Sequence, residues 1–190
     1  MCGSFNSADL LRVTNIKFRF KAKPFGHQLR TFCPPAQDVK VKQHERNYIT
    51  VRTTKCCYIP YESGTVNCCG VKSLTELDAA VEHFFDLFPS HRTAEPELVI
   101  DNISLTGQVE GGSISHFSRF LDSLEQRWGY RYSYNSHRFT GAAIKCPFGV
   151  VVLFPSSKLN VVGLKAMGDL RLVRQWLREV AAFRLSLGLK

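Results

Sequence analysis

Apolar and polar residues alternate in short runs along most of this chain, and the alternation is interrupted by stretches with helical spacing. Period-two alternation marks strands, because successive side chains of a strand point to opposite faces. Such runs open at Leu11–Phe20 and again at Leu98–Val109. Four short ones follow the first, at Asp38–Lys42, Arg46–Thr53, Cys56–Tyr61 and Thr65–Lys72. Four more follow the second, at Tyr130–Tyr134, Phe139–Cys146, Val150–Phe154 and Lys158–Lys165. Leu74, Leu77, Val81, Phe84 and Phe88 share one helical stripe, and Ser73 with Glu76 three residues on reads as a capping box at its start. Phe117, Leu121, Leu124 and Trp128 form a second stripe, with Ser113 or Ser115 as N-cap candidates. Leu170, Val173, Leu177 and Val180 form a third. Phe25–Phe32 fits neither period cleanly.

The order of elements repeats, and so do the residues. Tyr61-Glu-Ser-Gly-Thr-Val-Asn-Cys-Cys-Gly-Val-Lys72 aligns without a gap on Phe154-Pro-Ser-Ser-Lys-Leu-Asn-Val-Val-Gly-Leu-Lys165, 93 positions on. The register extends upstream to Val51/Ile144 and Arg52/Lys145. Leu11-Arg-Val-Thr-Asn-Ile16 echoes Leu98-Val-Ile-Asp-Asn-Ile103 at an offset of 87. Two homologous halves follow, 9–92 and 95–187, joined near Pro89 and Pro96. The expected fold class is α+β, with a five-stranded antiparallel sheet and two helices in each half.

Splitting the strands by parity gives each half two faces. Ile49, Val51, Tyr58, Val66 and Cys68 share one, as do Ile144, Val151, Leu153, Leu159 and Val161 in the second half. These can pack on the helical stripes. The opposite face carries Arg46, Tyr48, Arg52, Cys57, Ile59, Tyr61, Asn67 and Cys69, mirrored by Phe139, Gly141, Lys145, Val150, Val152, Phe154, Asn160 and Val162. That face is apolar in places, aromatic at points and fringed with cations. A sheet covered by helices on one side ordinarily shows water a polar exterior, so a face of this kind reads as an interaction surface.

Charge narrows the partner. The 190 residues hold 25 Lys and Arg against 16 Asp and Glu, a net charge of +9, which suggests a polyanionic partner, either nucleic acid or an anionic membrane surface. The longest apolar run, Phe148–Phe154, is too short to span a bilayer, and Met1-Cys-Gly-Ser4 shows no secretory pattern. Seven cysteines, an odd number without a C-x-x-C spacing, point to free thiols in a reducing compartment. Adjacent pairs such as Cys56-Cys57 and Cys68-Cys69 on strands place their thiols on opposite faces, which suits small hydrophobes better than a metal site. Arg171, Arg174, Arg178 and Arg184 read as a solvated helix face. No P-loop or nucleophile-elbow motif occurs, and neither an enzyme activity nor a cofactor is expected.

The duplicated halves, the paired Val-Thr-Asn-Ile and Ile-Asp-Asn-Ile openings, Tyr134-Asn-Ser-His-Arg-Phe-Thr-Gly141 and Lys158-Leu-Asn-Val-Val-Gly-Leu-Lys165 together resemble the core of the TATA-box-binding protein (TBP) family. The resemblance covers nearly the whole chain. It implies a pseudo-symmetric saddle, a ten-stranded curved antiparallel sheet with helices on the convex side, whose concave face enters the minor groove of double-stranded promoter DNA and bends it. By the same resemblance Phe139 and Phe154 fall on wedge positions, with Arg46 and Tyr61 at the corresponding places of the first half. Asn15 and Asn102 match central base-edge contacts. Arg52, Lys72, Lys145, Lys158 and Lys165 match phosphate-facing positions, and Ile59 and Val152 match apolar groove contacts. Implied partners are IIA- and IIB-like general transcription factors and the RNA polymerase machinery, without a membrane, in the nucleus or at a site of viral transcription.

Departures from the family pattern point to altered specificity. Arg46 replaces a wedge ring, Asn67 and Asn160 replace valine, and Cys69 and Val162 replace threonine. Asn135 and His137 stand where the family carries glutamates that contact transcription factor IIB. With rings at both wedge positions only in the second half, the sharper kink is expected there. The alternative is a saddle-fold protein-interaction module of a transcription complex that has lost DNA binding.

Overall fold

The computed structural model describes residues 11–33 and 38–188. The first residues of the expected first half, and Cys2, lie outside the described residues. Ten strands are connected in the order β2-β3-β4-β5-β1-β6-β10-β9-β8-β7. They are β1 Arg12–Lys21, β2 Lys40–Gln43, β3 Ile49–Arg52, β4 Cys57–Pro60, β5 Thr65–Val71, β6 Val99–Gln108, β7 Tyr132–Asn135, β8 Phe139–Cys146, β9 Gly149–Leu153 and β10 Lys158–Leu164. Three α-helices accompany them: α1 Leu74–Leu87, α2 Phe117–Trp128 and α3 Asp169–Ser186. The chain divides into two compact units, Thr14–Asn102 and the described part of Ile103–Lys190 with Met1–Val13. The strand pairings described within each half are antiparallel.

In the first half, Ile16, Phe18 and Phe20 of β1 are buried while Lys17, Arg19 and Lys21 between them are exposed. The buried members join Ile49, Val51, Tyr58, Val66 and Cys68 beneath α1. Aromatic edges hold this core together. Phe20 meets Phe84 at 5.2 Å and Phe85 at 5.7 Å, and Phe25 meets Phe88 at 5.3 Å. The Tyr58 hydroxyl, buried under α1, donates to the Ala80 carbonyl at 2.8 Å, so the ring brings no unpaired polar atom into the core. The ambiguous Phe25–Phe32 stretch holds a 3-10 helix, Gly26–Thr31.

The capping box at α1 is formed. The Glu76 backbone N–H donates to Ser73 Oγ at 3.1 Å, and the Glu76 carboxylate accepts from the Lys72 N–H at 2.8 Å. Leu74, assigned to the apolar stripe from its spacing, is 47% exposed. It is the first residue of the helix. In the second half α2 starts differently from the expectation. The N-cap position falls on His116, in the left-handed region at φ 50° and without a side-chain cap of its own, rather than on Ser113 or Ser115.

Arg184 does not belong to a solvated face. It is 1% exposed. Its guanidinium donates to the carbonyls of Glu110 (3.1 Å), Gly111 (2.8 Å), Gly112 (2.9 Å) and Ser113. The planar fork of five donors matches four carbonyls of an exposed loop, which gives the buried guanidinium the partners it needs.

The two halves repeat fine details. Tyr61 N–H donates to the Thr65 carbonyl and Phe154 N–H to the Lys158 carbonyl, both at 2.9 Å. The turns between them place Gly64 at φ 83° and Ser157 at φ 61°, so the same left-handed turn is built from different residues. Gly70 and Gly163 are also equivalent, at φ 107° and 95°, where a side chain would strain the backbone.

Candidate nucleic-acid interface

In each half the sheet face away from the buried residues carries the candidate site. In the second half Phe139 is 55% exposed. Its ring meets that of Phe154 at 5.7 Å with an interplanar angle of 69°. Gly141, two residues along the same face, makes the pair possible. A Cβ there would lie 2.8 Å from Phe139 Cε1, 2.9 Å from Phe154 Cε1 and 3.0 Å from Val152 Cγ1. Val152 is opposite both Ala143 and Asn160, so small and apolar groups form the floor beside the rings. Lys145 and Lys158 are exposed, and the Lys145 N–H donates to the Arg131 carbonyl at 2.9 Å, which brings exposed Arg131 alongside. On β6, Thr106 is opposite Asn160 and Gln108 is opposite Lys158.

The first half also holds a pair of rings, composed differently. Tyr48 stands at the repeat position of Gly141. Its ring lies 5.3 Å from Tyr61, the counterpart of Phe154, and 4.5 Å from His44 at 25°. His44 Nε2 is fixed against Thr50 Oγ1 at 2.9 Å. Arg46, at the Phe139 position, is exposed. The expected strand Arg46–Thr53 is shorter, Ile49–Arg52, and Tyr48 joins Tyr61 through an isolated bridge.

The remaining candidates fall into rows across the strands. Ile59 is opposite Asn67, which is opposite Arg19. Lys40 is opposite Arg52, Arg52 is opposite Cys57, and Cys57 is opposite Cys69. Burial and the facing Cys69 push the Cys57 thiol up. Asn15 is half-buried, and its Oδ1 accepts from the Gly70 N–H at 2.7 Å. Its amide oxygen therefore staples β1 to β5, and its nitrogen is the end able to donate to a base edge. Asn102 is half-buried on β6. Lys72 and Lys165 lie past the ends of β5 and β10. Their backbone N–H groups donate to the first-turn carboxylates of Glu76 (2.8 Å) and Asp169 (3.0 Å), which places both lysines at the sheet–helix turn.

Sequence reasoning passed over Lys17, Arg19 and Lys21 on β1 and Lys40 and Lys42 on β2. The signal was present, since strict alternation with Ile16, Phe18 and Phe20 puts the three β1 cations on the open face. Lys42 is opposite Thr50 and shares that face. Lys21 Nζ donates to Thr65 Oγ1 at 2.6 Å, and Arg19 pairs with Asp101. The equivalent β6 residues are Ser104, Thr106 and Gln108, so the first half is richer in cations and the second in apolar rings. Among the described residues no group of three or more His, Cys, Asp or Glu is placed to hold a metal ion.

No family model and no curated protein matches the sequence. Solved structures do. Methanococcus jannaschii TBP superposes with a TM-score of 0.71 at 20% identity, over 90% of this chain and 98% of that one. A heterotetrameric sarcosine oxidase from Corynebacterium sp. U-96, 9% identical over 92% of this chain and 84% of that one, reaches a TM-score of only 0.33 and carries no argument. The chain has the TBP fold: a ten-stranded antiparallel sheet with a small number of helices.

Proposed function

We propose that this chain is a TBP-like factor that binds duplex DNA through the minor groove, bends it, and nucleates assembly of a transcription initiation complex with altered TATA specificity. The observation that carries the reading is the Phe139–Phe154 pair, held over Gly141 on the sheet face opposite the buried residues, a face that also carries exposed Lys145 and Lys158. An exposed phenyl ring forgoes much of the stabilisation that burial would give it, about 1.5–3 kcal/mol. Seating it between base pairs recovers that burial and kinks the step. Lys158, which closes the turn after Phe154, and Lys145, six residues along β8 from Phe139, suit phosphates, as do Arg52, Lys72 and Lys165 at their own positions. Asn67 and Asn160 add amide donors and acceptors where a purely apolar floor would select A·T pairs by shape, which supports a changed sequence preference. IIA- and IIB-like factors and RNA polymerase are the proposed partners, and the nucleus or a site of viral transcription is the proposed location.

The test is a selection from random duplexes followed by salt titration of the selected site. Each neutralised phosphate contributes about 0.9 to the slope of log affinity against log salt. Lys145→Ala and Lys158→Ala should weaken all duplexes alike and flatten that slope. Failure to retain any duplex would sink the reading, and unchanged slopes in both variants would remove the phosphate assignment.

A further inference from the structure

We propose that the first half carries a cleft for one unpaired nucleotide of the bound nucleic acid, beside the connection between β2 and β3. The inference rests on the nucleic-acid reading above and adds a site to it. The cleft has a volume of about 330 Å³ and is lined by Gln43, His44, Glu45, Arg46 and Tyr48. That is near the lower end of small-ligand sites, ~300 Å³, and suits one nucleotide rather than an oligomer.

Three rings form a bent column beside the cleft: Tyr48 is stacked on His44 at 25° and tilted by 41° against Tyr61. Tyr61 meets Tyr48 at 5.3 Å, and Tyr48 meets His44 at 4.5 Å. His44 ends the column, and its hydrogen bond to Thr50 Oγ1 at 2.9 Å fixes its plane. A base laid on the far face of His44 continues the stack, and base–aromatic stacking tolerates any base because each has a π-face.

The polar lining selects among bases and holds the backbone. Glu45, when ionised, only accepts hydrogen bonds, while the Gln43 amide both donates and accepts. Together they fit a base with an exocyclic amine, adenine or cytosine, better than thymine. The exposed Arg46 guanidinium presents a bidentate fork to the phosphate, and exposed Lys42 one residue before Gln43 meets the next one along the strand. Glu45 disfavours a free, highly charged nucleotide, so the occupant is a nucleotide within a strand. The second half offers no equivalent. It has His137 at the position of His44 but Gly141 at that of Tyr48, so the middle ring is missing.

The test uses the full chain and a duplex selected by it, either fully paired or carrying a single bulged 2-aminopurine at the end bound by the first half. Bulged adenine should tighten binding about tenfold over the paired duplex, bulged thymine less. The 2-aminopurine fluorescence should fall several-fold on binding as the base stacks. Tyr48→Ala and His44→Ala should each abolish the ratio of bulged to paired affinity and the quench, and Tyr48→Phe should restore both. Arg46→Ala should reduce the ratio and keep the quench. Equal affinity for bulged and paired duplexes, or a quench indifferent to both ring variants, would overturn the cleft while leaving duplex binding in place. Absence of binding to either duplex would overturn the nucleic-acid reading itself, and the cleft with it.

Discussion

Tyr48 of the first half occupies the repeat position that Gly141 holds in the second. The exchange decides how each half builds its ring pair. Gly141 leaves space into which Phe139 and Phe154 lean, 5.7 Å apart. Tyr48 fills that space with its own ring, 5.3 Å from Tyr61, and Arg46 no longer needs to supply one. Each half thus presents two rings, but the first-half pair carries two hydroxyls and a stacked histidine. Hydroxyls brought into a dry, stacked step must keep hydrogen-bond partners. In the proposed complex the second half is therefore the better wedge.

The space at Gly141 is open to a direct check. Gly141→Ala places a methyl within 3.0 Å of three side-chain carbons. Two of them belong to rings with room to swing outward, so the loss of stability should be at the low end of overpacking, about 1 kcal/mol. The rings cannot then hold their present pairing. Thermal melting should show a folded protein close to wild type, while the bend it imposes on duplex DNA should shrink.

Charge is distributed in the opposite sense to the rings. Lys17 and Lys21 of β1 are exposed, whereas β6 has Ser104 and Gln108 at the matching places. If both lysines meet phosphates, Lys17→Ala with Lys21→Ala should lower the salt slope by about 1.8, at about 0.9 per contact. The bend at the second-half end should be unaffected. A salt titration of the double variant reads the first quantity, and dyes flanking that end read the second.

Arg184 ties α3 to residues 110–113. Arg184→Met removes a buried cation and leaves four carbonyls without its donors. The cost should be about 2–4 kcal/mol, seen as a Tm lower by about 5–10 °C. Arg184→Lys should fall between the two, because one ammonium has three donors for four acceptors. Hydrogen exchange should quicken first in the loop that precedes α2.

Much of this was legible in the sequence because the repeat supplies each element twice. The inner faces follow from parity alone: Val51 and Ile144, or Val66 and Leu159, are buried as their spacing requires. The capping box at Ser73 and Glu76 was visible because its bonds span three and four residues. Long-range partners were not visible. The carbonyls that meet Arg184 lie more than seventy positions away; its place four residues after Val180 and seven after Leu177 continues the buried stripe, unlike that of solvated Arg178, but spacing alone does not show what a buried guanidinium there would bond. The His44–Tyr48–Tyr61 column depends on a bend at 45–47 that shortens β3, which alternation alone does not reveal. The β1 cations follow from the same parity: alternation with Ile16, Phe18 and Phe20 sends Lys17, Arg19 and Lys21 to the opposite face.

The most direct measurement of the central claim is fluorescence transfer between dyes on the two ends of a short duplex, with and without protein. Binding of the wild-type chain should raise transfer, and a probe nearer the second-half end should report the sharper of two kinks. A flexible pyrimidine–purine step at that end should increase the effect. Phe139→Ala with Phe154→Ala should remove most of the rise while salt-sensitive binding persists through the lysines. Equal transfer from the wild type and the double variant, at matched occupancy, would contradict the account.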